Sequence, residues 1–547
     1  MRLPNEFDYV IVGAGSAGCT LAYRLGEDPD VRVLVLEAGG WDRDPWIHIP
    51  LGWGRILTQR LHDWQYFASP EPNVGGRAVE CARGKVVGGS SSTNAMAYVR
   101  GHPRDFDRWA ATGLPDWDSA HVLPYFKRSE SFEFGASDYH GGEGPLLVTR
   151  SPMAHPLNHA WCEAGVQAGF RFNEDINGPV RPGFGPTQLT IHNGLRVSTS
   201  KAFLRPALER PNLTVLTDAH VVRLLFEGDR AVGVQYIKDG VSGSARAERE
   251  VVLACGVYNS PHLLMLSGVG DADHLRAHGI APVADLKGVG LNLQDHLAFS
   301  VQVTTTRPIT LYGYFNNPFE GARAGLDYLF RRRGPLAGPP VEAVSIVNSA
   351  LADRDDPDIK FTFVMAMYAG NGQKIVDQHG FMVRGAIHRP ESTGSVRLQS
   401  SNAFDAPLVD PNIYAAEYDR QRCRSGFRLA REIVAQQAFA ELRGKELDPG
   451  IDVQSDADLD AYVRRTTPVD MHAVGTCRMG NDERAVVDAE LRVHGLRGLR
   501  VADASIMPQI VGANTNAATI MIAEKASDLI LGRAPPPPFG GATARAA

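Results

Sequence analysis

The residues best suited to chemistry lie towards the C-terminal end of the chain. Residues 470–480 read DMHAVGTCRMG, which sets His472 among small and apolar neighbours, five positions before Cys477. Imidazole changes charge near neutral pH, so such a histidine can take a proton from a hydroxyl, bind a metal or fill a polar gap in a core. The metal reading is weak on spacing, because no second His/Cys pair follows. Cys477 then reads as a small buried hydrophobe, and no metal is expected. What His472 does depends on what the rest of the chain brings to it.

The start of the chain brings a cofactor site. In FDYVIVGAGSAGCTLAYRLGEDPDVRVLVLEAGG, residues 9–12 are a short β-branched run that reads as a buried parallel strand. Gly13, Gly15 and Gly18 follow as G-x-G-x-x-G where the strand turns into a helix expected over 16–26. The first glycine permits the tight turn, the second lets a pyrophosphate approach the backbone, and the third lets helix and strand pack closely. Ser16 and Ala17 open the helix, whose N-terminus supplies amide donors and a positive dipole. A second strand, 31–36, ends at Glu37 and Ala38, with the acidic residue about 20 positions past the glycines, where a ribose hydroxyl is held. An acidic side chain there disfavours a 2′-phosphate, which leaves FAD or NAD. A second small-residue loop, ARGKVVGGSSSTNAMAYVRGHPRDFDRW (82–109), contains Gly89 and Ser90 and lies far from the first. Two loops whose amides can approach a phosphate or a flat ring favour an extended cofactor with an isoalloxazine, hence FAD.

The elements that position these residues need more than one core. A chain of 547 residues exceeds the usual single-core size, so two domains are expected. Acidic residues outnumber basic ones 62 to 56, and the densest basic patch, RRRG at 331–334, reads as solvated surface, so no nucleic-acid partner is expected. The N-terminal stretch has no apolar h-region with a cleavage site, and its apolar run is too short and glycine-rich to span a bilayer. Six scattered cysteines with no C-x-x-C pair fit a reducing cytoplasm. Peripheral membrane contact stays open. REVVLACG reads as a strand returning to a parallel sheet, whereas KFTFVMAMYA, GFMVRGAIHRP and GSVRLQS are β-rich and EYDRQRCRSGFRLAREIVAQQ has helical spacing. The expected fold class is α/β: a Rossmann-like, parallel-sheet FAD domain from 1–155, 215–300 and 470–533, with a sheet-based substrate domain from 156–214 and 301–469. Residues 534–547, APPPPFGGATARAA, read as a disordered tail, and LYGYFNNPFEG (311–321) as either a lid over the pocket or a surface loop.

From end to end the chain resembles the glucose–methanol–choline (GMC) flavoprotein oxidoreductases. The 82–109 loop is similar to the family's first signature and GVYNSPHLLMLSGVG (256–270) to its second. GVGLNLQDH (288–296), DMHAVGTCRMG and VADASIMPQIVGANTNAATIMIAEKASDLI (501–530) complete the set in the family's order. Thr93, Val257 and Ala518 depart from the usual residues but remove no polar group the chemistry needs. Some relatives bond a histidine at the position of Thr93 to the flavin. Threonine cannot, so the resemblance implies non-covalent FAD. It also implies that Asn94, Ala95, Met96 and Ala97 lie along the ring with Trp64 and Val87 nearby, and that Val221 meets the adenine through its backbone. Asp503 and Ala504 are expected near the ribityl and pyrophosphate groups, and Asn516 and Ala517 at the pyrimidine edge, where the helix after Asn514 or Thr515 points its N-terminus.

For chemistry, the resemblance makes His472 the base that takes an alcohol's proton and Asn514 the hydrogen-bonding partner at the oxygen. It implies oxidation of a primary alcohol, aliphatic or benzylic, to the aldehyde, with oxygen or a quinone-like acceptor taking the electrons. Two alternatives share the fold, a hydroxynitrile-lyase-like enzyme and a fatty-acid-photodecarboxylase-like one. Glu342 stands where choline-active relatives hold the trimethylammonium, yet Met471 replaces their aromatic residue, which disfavours choline and leaves both as weak substrate candidates. Met471 and the FTFVMAMY run hint at a mostly apolar pocket. Asp295, His296 and His388 read as structural.

Overall fold

The computed structural model describes residues 6–339, 341–353, 356–369 and 374–540. Two sheets organise it. The first contains a parallel array in the order Leu213–Leu216, Val33–Leu36, Glu6–Val12, Val241–Leu253, Leu499–Val501. Val33–Leu36 is buried at every position, which explains an apolar run without alternation. The long strand Val241–Leu253 serves twice. Its first half pairs antiparallel with Arg230–Lys238, and its last residues run parallel to Glu6–Val12 and Leu499–Val501.

Helix Ser16–Leu25 packs against this sheet and against the C-terminal helix Thr515–Leu531. That last helix is buried nearly all round, more completely than a one-sided apolar pattern implies. Its charges are met inside: Glu524 accepts from Arg24 Nε at 2.8 Å and Arg128 Nε at 2.7 Å, and the Lys525 ammonium sits over the Trp117 ring at 5.1 Å. Such pairing offsets the cost of burying them.

The second sheet has six antiparallel strands in the order Arg443–Asp448, Leu297–Thr305, Gly380–Ile387, Ile359–Val364, Ala343–Val347, Gly183–Pro186. Side chains alternate across it. Phe361 and Phe363 join a buried aromatic cluster with Trp161, at 6.0 and 5.3 Å between centroids. Phe299 links this cluster to Phe427 of the covering helix Glu417–Ala435. Lys360, Thr362 and Val364 therefore face the opposite side.

Two features of the periphery were not expected. Residues 311–321 are helical and not a loop: they form helix Tyr312–Asn316 and the start of helix Pro318–Arg331, because Asn317 caps the second helix and Pro318 suits its first turn. The tail is laid on the surface as far as residue 540, with the Phe539 N–H donating to the Ala120 carbonyl at 2.9 Å and its ring 5.4 Å from Tyr139. Residues 541–547 lie outside the described residues. Among the described residues no helix is long and apolar enough to cross a membrane.

Candidate active site

A cavity of about 450 Å³ runs from the first glycine loop to His472. At its nucleotide end the constraint is steric. Gly13 has φ +98°, and a Cβ on Gly18 would lie 1.8 Å from the Gly13 carbonyl oxygen, so only glycine lets the strand turn into this helix. The two loops that are distant in sequence touch here: a Cβ on Gly89 would lie 2.7 Å from Gly15 Cα. Glu37 accepts from the Ala14 and Gly39 N–H groups, each at 2.8 Å. Burial pushes its carboxyl up to about 7, with those two amides pulling the other way. Ser16 Oγ donates to Asn516 Oδ1 at 2.6 Å, tying together the first turns of the two helices that begin at the cavity.

Gly13, Gly15, Ser16, Ala17, Glu37, Ala38, Trp64, Gly89, Ser90, Asn94, Ala95, Met96, Ala97, Val221, Asp503, Ala504 and Asn516 all line this space. Gly18, Val87 and Ala517 do not. Gly18 faces the strand, and Val87 and Ala517 turn into the first core. The donor set fits FAD: helix N-termini for the phosphates, a buried carboxylate for ribose hydroxyls and small residues for a flat ring.

The reaction end is held by hydrogen bonds. The His472 N–H donates to Asp295 Oδ1 at 2.8 Å, and the Met471 carbonyl accepts from Arg83 at 2.9 Å. Met471 itself takes φ +59°, a costly conformation for a non-glycine residue that these contacts impose. His472 Nε2 lies 2.9 Å from Asn514 Nδ2, and its Nδ1 lies 2.9 Å from His296 Nδ1.

The ends of this chain fix its protons. Lys360 Nζ donates to Asn514 Oδ1 at 3.1 Å, so the Asn514 amide nitrogen faces His472. His296 Nε2 lies 3.0 Å from the Val511 carbonyl, which only accepts, so His296 is protonated there and bare at Nδ1. His472 must then carry its proton on Nδ1 and expose a bare Nε2. Asn514 occupies the N-cap position of the last helix, but its amide serves this network and no side-chain cap bond forms.

Burial above all holds His472 well below the ordinary histidine value. Asp470 pulls the other way, and Lys360, His296 and Arg83 reinforce the burial. Burial also pushes His296 down to about 3, helped by Lys360. Burial alone would raise Asp470, but Arg384, Lys360 and His472 outweigh it and hold its carboxyl well below the usual range. Arg384 Nε donates to Asp470 at 2.8 Å, and Lys360 Nζ lies 3.6 Å from it. Ligand atoms of His296, Asp470 and His472 fall within 4.8 Å of one another, a set that could hold a metal. Here their lone pairs already face donors.

Several expectations need correction. His296 and Asp295, expected to be structural, do their positioning at the site itself: one contacts the His472 ring and the other its backbone. His388 is buried behind His296, its ring centroid 5.4 Å away. Glu342 is not brought to the cavity, since its Oε2 accepts from Asn158 Nδ2 at 2.8 Å and burial raises its carboxyl. Met471 does line it. The cavity is mostly apolar, as expected, but FTFVMAMY contributes to it through Val364, because alternation sends Phe361 and Phe363 away and presents Lys360 and Thr362. Lys360 went unread. Its one signal is a charge inside a strand that is otherwise apolar or hydroxylic.

Family models for GMC oxidoreductases match residues 7–298 and 390–523. The chain is 47% identical to the mitochondrial choline dehydrogenase of Mus musculus, over 96% of this chain and 90% of that one. It is 45% identical to the oxygen-dependent choline dehydrogenase of Brucella ovis, over 97% and 96%. Among solved structures, pyridoxine 4-oxidase from Mesorbium loti superposes with a TM-score of 0.87 at 34% identity, covering 96% of this chain and all of that one. A formate oxidase superposes with a TM-score of 0.90 at 27% identity, covering 97% and 99%. The chain belongs to the GMC oxidoreductases, enzymes that bind FAD and act on CH–OH groups.

Proposed function

We propose that this protein oxidises a primary alcohol, aliphatic or benzylic, to the aldehyde, with His472 as the base. The observation that carries this reading is the bare Nε2 of His472 set 2.9 Å from the Asn514 amide nitrogen in the cavity wall. An alcohol oxygen that replaces this direct His472–Asn514 hydrogen bond gives its proton to Nε2 and accepts a hydrogen bond from Asn514 as negative charge develops on it. Asp470 Oδ2, 3.3 Å from Nδ1, favours the imidazolium that results. Lys360 fixes the Asn514 amide and sharpens its donor end. Bound FAD supplies the acceptor for the hydride that leaves the same carbon, so the O–H and C–H bonds break as C=O forms. Thr93, which lines the cavity, offers no ring nitrogen for a flavin bond, so the cofactor is held non-covalently.

The charge at this end argues for a neutral or anionic alcohol. Arg83, Lys360 and Arg384 line it, and the carboxylate facing them, Asp470, is already committed to two of the three. A trimethylammonium group calls for anionic or aromatic surroundings: Met471 beside the base provides neither, and the aromatic side chains of the wall, Trp64 and Tyr368 among them, come from other segments. All six cysteines are unpaired, which fits a reducing compartment such as the cytoplasm.

The test is anaerobic addition of aliphatic and benzylic alcohols, hydroxy acids and choline to the holoenzyme while following the flavin's visible band. Uncharged or anionic primary alcohols should bleach it faster than choline does. Choline as the fastest substrate would overturn the charge reading, and no bleaching by any alcohol would overturn the reaction. Peroxide formed in step with aldehyde assigns oxygen as acceptor, and its absence assigns a quinone-like one.

A further inference from the structure

Helix Pro318–Arg331 turns its apolar stripe away from the protein. Ala324 and Tyr328 are its buried residues, and the Tyr328 hydroxyl anchors it by donating to the Gly194 carbonyl at 3.0 Å. Phe319, Ala322, Leu326, Leu329 and Phe330 fall at i, i+3, i+7, i+10 and i+11, an arc of about 100° on the helix. That arc faces solvent: Phe319 is 87% exposed, Phe330 77%, Leu329 63% and Leu326 56%. Phe315, in the preceding short helix, extends it. Single exposed apolar residues are ordinary on a folded protein, but a stripe of this size on one helix marks a contact surface.

The charges around it select the partner. Arg323, Arg331, Arg332 and Arg333 outnumber Glu320 and Asp327, a local surplus of two positive charges on a chain whose net charge is −6. Among the described residues, Arg331 alone of the four is in an ion pair, with Asp327 at 3.3 Å. We propose that this helix docks the protein reversibly on a bilayer surface bearing anionic headgroups. Its two phenylalanines and two leucines enter the headgroup–acyl boundary, and the arginines meet the phosphates. A second copy of the chain fits less well, because a two-fold contact through this stripe would bring two sets of these arginines together.

The helix also sits next to a wall of the cavity. It runs into the turn Pro335–Ala337, which packs on Pro50–Gly52, the turn that leads into helix Trp53–Gln59. Trp53, Leu57 and Thr58 of that helix line the cavity, so a docked bilayer lies beside them.

The holoenzyme should sediment with vesicles of phosphatidylcholine plus phosphatidylglycerol, and much less with phosphatidylcholine alone or at high salt. The double variant Phe319→Ser/Phe330→Ser should lose binding by about tenfold or more. The triple variant Arg331→Ser/Arg332→Ser/Arg333→Ser should lose the part that depends on anionic lipid and salt. Both should keep wild-type rates on a water-soluble alcohol, which shows that they fold. Three outcomes would overturn the proposal: wild-type protein left in the supernatant with both vesicle types, variants that sediment like wild type, or light scattering that shows a dimer broken by the phenylalanine variant without vesicle binding.

Discussion

The two ends of the cavity are built in opposite ways. The nucleotide end takes most of its determinants from one stretch, residues 9–38, and its constraint is on the backbone: glycines where a Cβ has no room and a helix that must start at one place. The reaction end draws on residues 295–296, 360, 384, 470–472 and 511–514, and its constraint is on protons: which atom donates, which accepts, and which is left bare. The first kind of site fails by steric exclusion. The second fails by degrees, as each bond that holds the His472 tautomer is removed.

That contrast orders the expected effects of substitution. Gly18→Ala should be the most severe, because the added methyl would meet the Gly13 carbonyl at 1.8 Å and the turn cannot relax around a backbone atom. The purified protein should carry no FAD, and a normally yellow Gly18→Ala protein would refute the steric account. His472→Ala should slow flavin bleaching by about 10²- to 10⁴-fold while FAD content stays normal. An unchanged bleaching rate would remove His472 as the base.

Lys360→Met should act next, lowering kcat/KM by about 10- to 150-fold through loss of a charge-assisted hydrogen bond to Asn514. It has a second readout. In the wild type, burial and nearby cations hold His472 neutral, so activity should fall only below the ordinary histidine value of 6.5, as acid protonates the base. A neighbouring cation lowers a histidine's pKa, so removing Lys360 should move that acid limb to higher pH. A limb that moves down, or stays, would separate Lys360 from His472. The smallest effect belongs to His296. His296→Leu removes the acceptor that sets the His472 tautomer and should cost about 2- to 10-fold in kcat/KM. His296→Gln can accept from His472 and donate to Val511 through one amide, so it should recover most of the loss. If leucine and glutamine behave alike, the tautomer relay is wrong.

Legibility in the sequence follows the same division. Gly13, Gly15 and Glu37 stand out because a strand–turn–helix has local rules that spacing alone displays. Val87 and Ala517 show the limit: they stand in the right motifs but turn behind the cavity wall, whereas Gly18 packs helix on strand as its place in the motif requires. The strand around Lys360 shows a deeper one. A period of two says that Phe361 and Lys360 face opposite sides, but not which side is the cavity. His296 looked structural because its partner lies far along the chain, on a different loop. Helix Pro318–Arg331 was hidden behind aromatic residues and a proline that resemble a turn, although Asn317–Pro318 is a sound helix start.

The sequence by itself therefore determined what local stereochemistry can dictate: the glycine turn, the acidic residue after the second strand, the order of the motifs and, through them, the cofactor and the family. Tertiary structure alone decided the rest. It brought a lysine, two histidines, an aspartate and an asparagine from distant segments within hydrogen-bonding reach. It chose which face of the second sheet meets the cavity and turned one amphipathic helix inside out. The physical reason is range. Backbone conformation is set by neighbours in the chain, whereas a proton's position and a side chain's surroundings are set by whatever the fold places a few ångströms away.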